Sequence, residues 1–409
     1  MAPDAWRLAV REVVARRWRA NHSGRGLMKM KVLLVIDHLG LGGAQRQIVE
    51  LACGLARRRH TVEIFNYFPQ HDFFLHRVRE QGIAVHGYRK GGGFSIGVVT
   101  ALSSLLRSGR FDLVISFLNN PNLYAEIASL TTHGARLVVS ERCSHHDDRF
   151  VFAADGRRLL HVVSDHVVTN SQTHAAWLRK KWWLRPKVSC IYNGLDLEAM
   201  APVYSGAPGR SNLRLLAVGR ICPQKNPMKL IAALRYFNRR HGYVPEVSWA
   251  GKRDTSRSGR HYAAQVDDLL ASSPEISGRW HWLGEQSDMR SLMQRHDALI
   301  HPSLYEGLPN AVCEALAAGL PVLISNVCDH PLLVVEGERG FLFDPSDPLS
   351  IAMSIERAAA LDADSWLTLS RNARKYAETQ LGADKMVERY ESLFINLTAQ
   401  ARRSSEGNA

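Results

Sequence analysis

Twice in this chain an apolar strand pattern runs into a short loop and then into an amphipathic helix pattern. The first copy begins at Lys31 and reads KVLLVIDHLGLGGAQRQIVELACGLARRRHTVEIFNY. Residues 31–36 are apolar throughout after Lys31, which predicts a strand buried on both faces. A glycine loop follows over 39–43, and Ile48, Leu51, Ala52 and Leu55 then recur at helical spacing. A second strand is expected over 61–66. Strand, helix, strand is the opening of a parallel sheet. The second copy begins at Asn212: strand 213–218, a polar loop with Gly219, Pro223 and Pro227, then a helix carrying Leu230, Leu234 and Phe237. APVYSGAPGRSN (201–212) lacks periodicity and reads as a linker. The expected fold is α/β: two Rossmann-like domains, 30–200 and 213–382, facing each other across a cleft. Ligands are then expected at the carboxyl ends of the strands.

The length supports this division, since 409 residues exceed one ordinary core and suit two of about 150–200 residues. No apolar run approaches the roughly 18 residues of a membrane helix. Residues 1–27 also lack the continuous apolar core of a secretory signal. Cys53, Cys143, Cys190, Cys222, Cys313 and Cys328 include no CxxC pair, so reduced thiols in a cytoplasmic protein are expected. Residues 1–29 form an N-terminal extension. With Trp6, Val10, Val13, Val14 and Trp18 among its arginines, it reads either as a membrane-surface helix or as sequence preceding a true start at Met28 or Met30.

Charge separates the halves. The first 200 residues hold 28 Lys+Arg against 16 Asp+Glu, and the rest hold 24 against 23. A basic first half suits an anionic partner: nucleic acid, an anionic membrane surface or a phosphorylated substrate. Simple solubility is the bland alternative.

The loop HLGLGGAQR (38–46) resembles a dinucleotide fingerprint only in part, because Gln45 stands where the third glycine belongs. The strand ending EIFNY also lacks the acid that would grip a ribose, so NAD is not expected. Gly42 and Gly43 still precede a helix start, where a ligand can approach the backbone. In the second half Arg220 and Lys225 follow a strand, and two cations there can neutralise a diphosphate. The alternative is two solvated loop charges. DALIHPS (297–303) reads as a strand, LYEGLPN as its exit loop, and NAVCEALAAG as a helix closed by Gly319. Glu306 and Glu314 flank that helix start. Carboxylates accept from sugar hydroxyls while helix amides and cations suit phosphate, a combination that describes a sugar nucleotide. For Glu314 the alternative is an exposed first-turn acid stabilised by the helix dipole. Asp362 and Asp364 form a DxD string in a polar helical region and read as a solvated face, and no histidine pair has metal-ligand spacing.

These segments resemble the retaining glycosyltransferases of family 4 (glycosyl transferases group 1) on the GT-B fold. The likeness spans residues 30–395 and rests on GLGGAQRQIVELACGLARRRHTVEI, VVSER, VTNS, IYNGLD, LLAVGRICPQKN, HWLGEQSDM and HPSLYEGLPNAVCEALAAGLPVL. The most specific part is the glutamate, seven residues, glutamate spacing of the last segment. The resemblance implies that Arg220 and Lys225 hold the diphosphate leaving group. It implies that Glu306 binds donor-sugar hydroxyls near the anomeric carbon and that Glu314 binds the ribose. Backbone at Gly307, Leu308 and Asn310 would contact sugar and phosphate, with Gly42 and Gly43 approaching from the first domain. It also implies that the helix 383–399 crosses back onto that domain. Two departures stand out. SFLNNPNLYA (116–125) lacks the family's first-domain histidine, which leaves Asn119, Asn122 and Arg142 as acceptor-side candidates. In NVCDHPLLVVEGERGFLF (326–343), Asp329 and His330 replace part of a glycine-rich stretch, which blurs sugar specificity.

The implied reaction moves a sugar from a nucleotide-diphosphate donor, a UDP-sugar first, to a hydroxyl of a lipid-linked or soluble saccharide. No metal or other cofactor is expected. The implied setting is bacterial surface-polysaccharide assembly in the cytoplasm, peripheral on the inner face of the cell membrane. Loops around Lys252 and Glu285 are expected to hold the base. Two rivals remain: a UDP-sugar epimerase of the same fold, and a basic scaffold binding membrane or nucleic acid. Against nucleic acid, the aromatics do not interleave with the basic residues.

Overall fold

The computed structural model describes residues 29–132, 134–142, 156–202 and 212–406, with side chains described to residue 400. Residues 1–28 and 203–211, read above as most of the extension and most of the linker, lie outside the described residues. The first sheet has seven strands: β1 (Lys31–Ile36), β2 (Thr61–Asn66), β3 (Ala84–Gly87), β4 (Leu113–Phe117), β5 (Arg136–Glu141), β6 (His166–Thr169) and β7 (Val188–Cys190). The second has six: β8 (Arg214–Val218), β9 (Glu246–Ala250), β10 (Trp280–Gly284), β11 (Ala298–His301), β12 (Val322–Ser325) and β13 (Gly340–Phe343). The strand orders are β3-β2-β1-β4-β5-β6-β7 and β10-β9-β8-β11-β12-β13. Neighbours pair in parallel throughout.

This order has a functional consequence. In each sheet the winding direction reverses once, between β1 and β4 and between β8 and β11. Loops leaving adjacent strands there run to opposite faces and open a crevice, so each domain has one topological switch point.

Seven helices matter below: α1 (Gly43–Arg57), α2 (Asn119–Ser129), α3 (Gln172–Arg179), α4 (Pro227–His241), α5 (Asn310–Ala317), α6 (Ala363–Gln380) and α7 (Ala383–Glu406). The chain passes from the second sheet back to the first at α7. Its Met386, Val387, Tyr390, Phe394 and Leu397 are buried in a core with Ile48, Leu51 and Leu55 of α1. Gly54 permits the approach, because a Cβ there would lie 2.3 Å from a methyl of Val387. Glu391 of α7 accepts from Arg58 at 2.6 Å and contacts His60 at 2.8 Å.

One polar knot lies inside the first domain. Glu141, at the end of β5, contacts His161 at 2.8 Å, His174 of α3 at 2.7 Å and Arg158 at 3.0 Å. The other ring nitrogen of His161 contacts Glu126 of α2. Burial disfavours the His161 imidazolium, but the two carboxylates outweigh it and push its pKa up to about 9. The stabilisation it gives is complete below its ordinary value of 6.5 and is lost as pH rises through about 9. Glu141 sits well below the usual carboxylate range although burial opposes this, so its share is lost only in acid. The thermal midpoint of the first domain is therefore expected to fall by several degrees between about pH 6.5 and 9.5. Calorimetry across that range checks this, and a flat midpoint contradicts it.

Candidate functional site

The second switch point is built by two loops fastened together. The loop after β8 carries Gly219, Arg220 and Lys225, and the loop after β11 carries Ser303 to Glu306. Leu304 N–H donates to the Gln224 carbonyl at 2.9 Å, and the Gln224 amide donates to the Tyr305 carbonyl at 2.9 Å. Asn226, in the left-handed region at φ 59°, starts α4 and donates to the carbonyls of Pro302 at 3.1 Å and Pro345 at 2.9 Å. Gly219 has φ +155°, and the Lys225 stem lies across it. A Cβ there would meet that stem at 2.8 Å.

This frame brings Lys225 Nζ to 2.5 Å from Glu306 Oε1. His301, at the end of β11, contacts the same oxygen at 3.2 Å, and its Nε2 also lies 3.1 Å from Ser303 Oγ. Burial opposes a charge on Glu306. The His301 hydrogen bond and the Lys225 charge outweigh it, so the carboxyl stays well below the usual range. Burial and Lys225 lower His301, which makes it a neutral donor to Glu306. His330 stacks edge-on to His301 at 5.7 Å and is lowered to about 4, chiefly by burial. Its Nε2 is buried with no protein partner. Sequence reasoning missed His301, although its place at the end of β11, five residues before Glu306, was a usable signal.

The remaining candidates lie around this pair. Arg220 stands apart with a side chain 56% exposed, 4.0 Å from Asp254. Lys252 and Glu285 form an exposed pair at 3.7 Å. Leu308 is buried, and Asn310 opens α5. Glu314 is neither exposed nor in the first turn, which corrects the capping alternative. It is buried in the second turn of α5 and accepts from Arg46 of α1 at 3.0 Å. Burial pushes its pKa up, and Arg46 offsets this only in part. Asp362 caps α6 by accepting from Ser365 N–H at 2.8 Å, which is a structural use of the DxD string.

Three contacts show that the two carboxyl edges face each other. Arg46 reaches Glu314, Asn193 donates to Asn310 at 2.7 Å, and a Cβ on Gly43 would meet the Asn310 amide at 2.9 Å. Gly42 precedes α1 in extended backbone, with the Gln45 side chain folded over it.

In the facing domain, the first switch point holds a cavity of about 290 Å³. Asp37 follows β1, Leu118 to Pro121 follow β4, and Arg142 follows β5; with Arg157 they line it. Arg142 lies over the Phe117 ring at 3.9 Å and bonds Asn193 and Tyr390, at 3.0 Å for the tyrosine. Leu118 has φ 79° and ψ 157°, a region that costs a non-glycine residue about 1–3 kcal/mol. Strain of this kind gathers where a scaffold holds a ligand loop in place. Of the acceptor-side candidates, Asn119 and Arg142 line this cavity but Asn122 does not. Asn122 is buried, accepting from Ser116 Oγ at 2.6 Å and donating to the Ser140 carbonyl at 3.1 Å. It staples α2 to the sheet, and Asn120 takes the exposed position instead.

Two parallel-sheet domains with their switch points opposed across a cleft define the GT-B class. Comparison with known proteins agrees. The description "Glycosyl transferases group 1" matches residues 208–379, and "Glycosyltransferase Family 4" matches residues 41–199. The chain belongs to this glycosyltransferase family. It is 28% identical over 220 residues to the UDP-Gal:alpha-D-GlcNAc-diphosphoundecaprenol alpha-1,3-galactosyltransferase of Escherichia coli, covering 52% of this chain and 54% of that protein. The chain thus spans about half the length of that relative. It is 24% identical over 364 residues to the lipopolysaccharide glucosyltransferase WaaG of Escherichia coli K12, covering 83% and 91%. Among solved structures, Anabaena Alr3699/HepE in complex with UDP-glucose shares the fold with a TM-score of 0.71 at 19% identity, covering 92% of this chain and 100% of that one.

Proposed function

We propose that this protein is a retaining, metal-independent glycosyltransferase that uses a UDP-sugar and a lipid-linked saccharide acceptor in surface-polysaccharide assembly. The observation that carries the reading is the Lys225–Glu306 pair at the second switch point, with a cavity lined by Asp37, Asn119 and Arg142 at the first. As the bond between sugar and diphosphate breaks, negative charge builds on the leaving phosphate. Lys225 exchanges its contact with Glu306 for that phosphate, joined by Arg220 and the free amides of α5. Glu306 is held ionised and acceptor-only, so it takes donor-sugar hydroxyls. His301 fixes its orientation. Glu314 sits where a ribose would compete with Arg46 for it. Gly42 and Gly43 bring the first domain's backbone to the cleft edge, where the diphosphate would displace the Gln45 and Asn310 side chains that cover it, and the backbone at Gly307 and Leu308 contacts the sugar. The acceptor hydroxyl enters from the cavity lined by Asp37, Asn119 and Arg142.

The lipid-linked acceptor is supported by the basic first half and by what the galactosyltransferase relative is named for. Among the described residues no helix is long and apolar enough to cross a membrane. Attachment is therefore proposed to be peripheral, on the cytoplasmic face.

Thermal unfolding with UDP, GDP, ADP and CDP tests the donor site. A nucleotide at about 100 times its dissociation constant adds roughly 2.7 kcal/mol to the domain that binds it. UDP alone is expected to raise the midpoint by several degrees. A rise with GDP instead would reassign the donor, and no rise with any nucleotide would sink the reading. Incubating the UDP-sugar without acceptor separates the epimerase rival, which would produce an isomeric UDP-sugar.

A further inference from the structure

Beside the first-domain cavity lies a second, of about 350 Å³, at the carboxyl end of β2. Tyr67, Phe68, Phe94 and Tyr124 wall it, with Lys90 at the rim. Asn120 lines both cavities, so the two adjoin at that residue. Phe94 stacks on Tyr124 with ring centres 5.3 Å apart, yet stays 56% exposed. It is a flat aromatic face presented to solvent beside a cleft. Tyr67 is 1% exposed and its hydroxyl has no protein partner. A buried hydroxyl without a partner is destabilising, and a ligand hydroxyl would relieve it.

We propose that this cavity is a saccharide subsite, taking a pyranose ring of the acceptor one unit removed from the reacting hydroxyl. The proposal rests on the glycosyltransferase reading above and extends it to a longer acceptor. A pyranose has an apolar C–H face, which suits the Phe94 and Phe68 rings, and a rim of hydroxyls. That rim can satisfy Tyr67, Asn120 and Lys90 together. An alkyl chain would cover the rings but leave the Tyr67 hydroxyl unpaired and strip water from Asn120 and Lys90 without replacing it. A phosphate would find only Lys90, which already lies over the Phe68 ring at 5.3 Å and donates to the Gly91 carbonyl at 3.1 Å. Adjacency adds a reason: a ring at Phe94 leaves the next ring beside Asn120, at the edge of the cavity proposed to admit the reacting hydroxyl.

Saturation-transfer NMR on the full chain with UDP present tests the subsite. The probes are methyl α- and β-glycosides of glucose, galactose and N-acetylglucosamine. At least one is expected to receive saturation. Phe94→Ala is expected to weaken it about tenfold by removing the stacking face. Tyr67→Phe is expected to weaken the same glycoside while leaving the unliganded thermal midpoint unchanged or higher, since it deletes an unpaired buried hydroxyl. A purely structural tyrosine would show the opposite. The proposal is overturned if no glycoside binds the wild type, or if Phe94→Ala binds it equally well. It is also overturned if decyl phosphate alone binds and depends on Phe94. The UDP-induced rise in midpoint is expected to persist in both variants. Its absence from the wild type would sink the donor reading, whereas loss of glycoside binding alone sinks only the subsite.

Discussion

Replacing Lys225 with alanine is expected to lower turnover by about 10²–10³-fold, the usual loss when one preorganised group stabilising developing charge is removed. The effect should fall on kcat more than on KM, because the charge on the leaving diphosphate is greatest in the transition state. The variant also takes the cation from the buried Glu306 carboxylate, leaving His301 as its partner among the described residues. Some loss of stability is therefore expected, and thermal midpoints must be compared before rates are. Lys225→Ala combined with Glu306→Gln removes the stranded charge and restores the fold without restoring the rate. Steady-state kinetics with a UDP-sugar and an acceptor extract decides the matter. Turnover within a factor of a few of wild type would end the assignment of Lys225 to the leaving group.

Much of this pair's setting was legible before the structure. The β8 and β11 patterns are short apolar runs with clear exits, and a parallel sheet puts strand exits on one edge. Lys225 and Glu306 therefore had to share an edge once both strands were recognised. Their direct contact was not legible, because it depends on Asn226 adopting φ 59° and on the Gln224–Leu304 zipper. Asn119, Asn120 and Asn122 show the opposite limit. Their spacing does not say where α2 begins. Since it begins at Asn119, position 122 turns toward Ser116 and the sheet while 120 stays in the cleft. The cap alternative for Glu314 stayed open in the sequence for a related reason. Its partner Arg46 lies 268 residues away on the other domain, and no local pattern reports such a contact.

Asp329 is the largest instance of that long-range blindness, and it carries the second large prediction. The sequence suggested an effect on sugar specificity. The structure turns its carboxylate toward the other domain, where it meets the start of α3. Oδ1 accepts from Ser171 Oγ at 3.0 Å and Thr173 N–H at 2.8 Å. Oδ2 accepts from Gln172 N–H at 2.5 Å and from the Tyr192 hydroxyl at 3.1 Å. The residue is fully buried, so a second-domain anion fills the anion-favouring end of a first-domain helix. Asp329→Ala strands four donors, two of them backbone amides. Asp329→Asn keeps the shape but aims an NH₂ at a backbone N–H that can only donate, and it removes the charge from the helix start. Both variants are therefore expected to cost about 3–5 kcal/mol, since a hydrogen bond to a charged group is worth about 1.5–3 kcal/mol and each buried donor left unpaired costs about 1–3 kcal/mol. At roughly 2–4 °C per kcal/mol for domains of this size, the midpoint falls by about 10 °C. The alternative appearance is one calorimetric transition splitting into two as the domains uncouple. Function should follow: a cleft that no longer closes admits water, so hydrolysis of the UDP-sugar rises relative to transfer. A serine substitution shows whether charge or packing dominates, since its hydroxyl can accept from one amide but fills little of the space. A single transition at the wild-type midpoint in Asp329→Asn would show that Arg46–Glu314 and Asn193–Asn310 hold the domains without it.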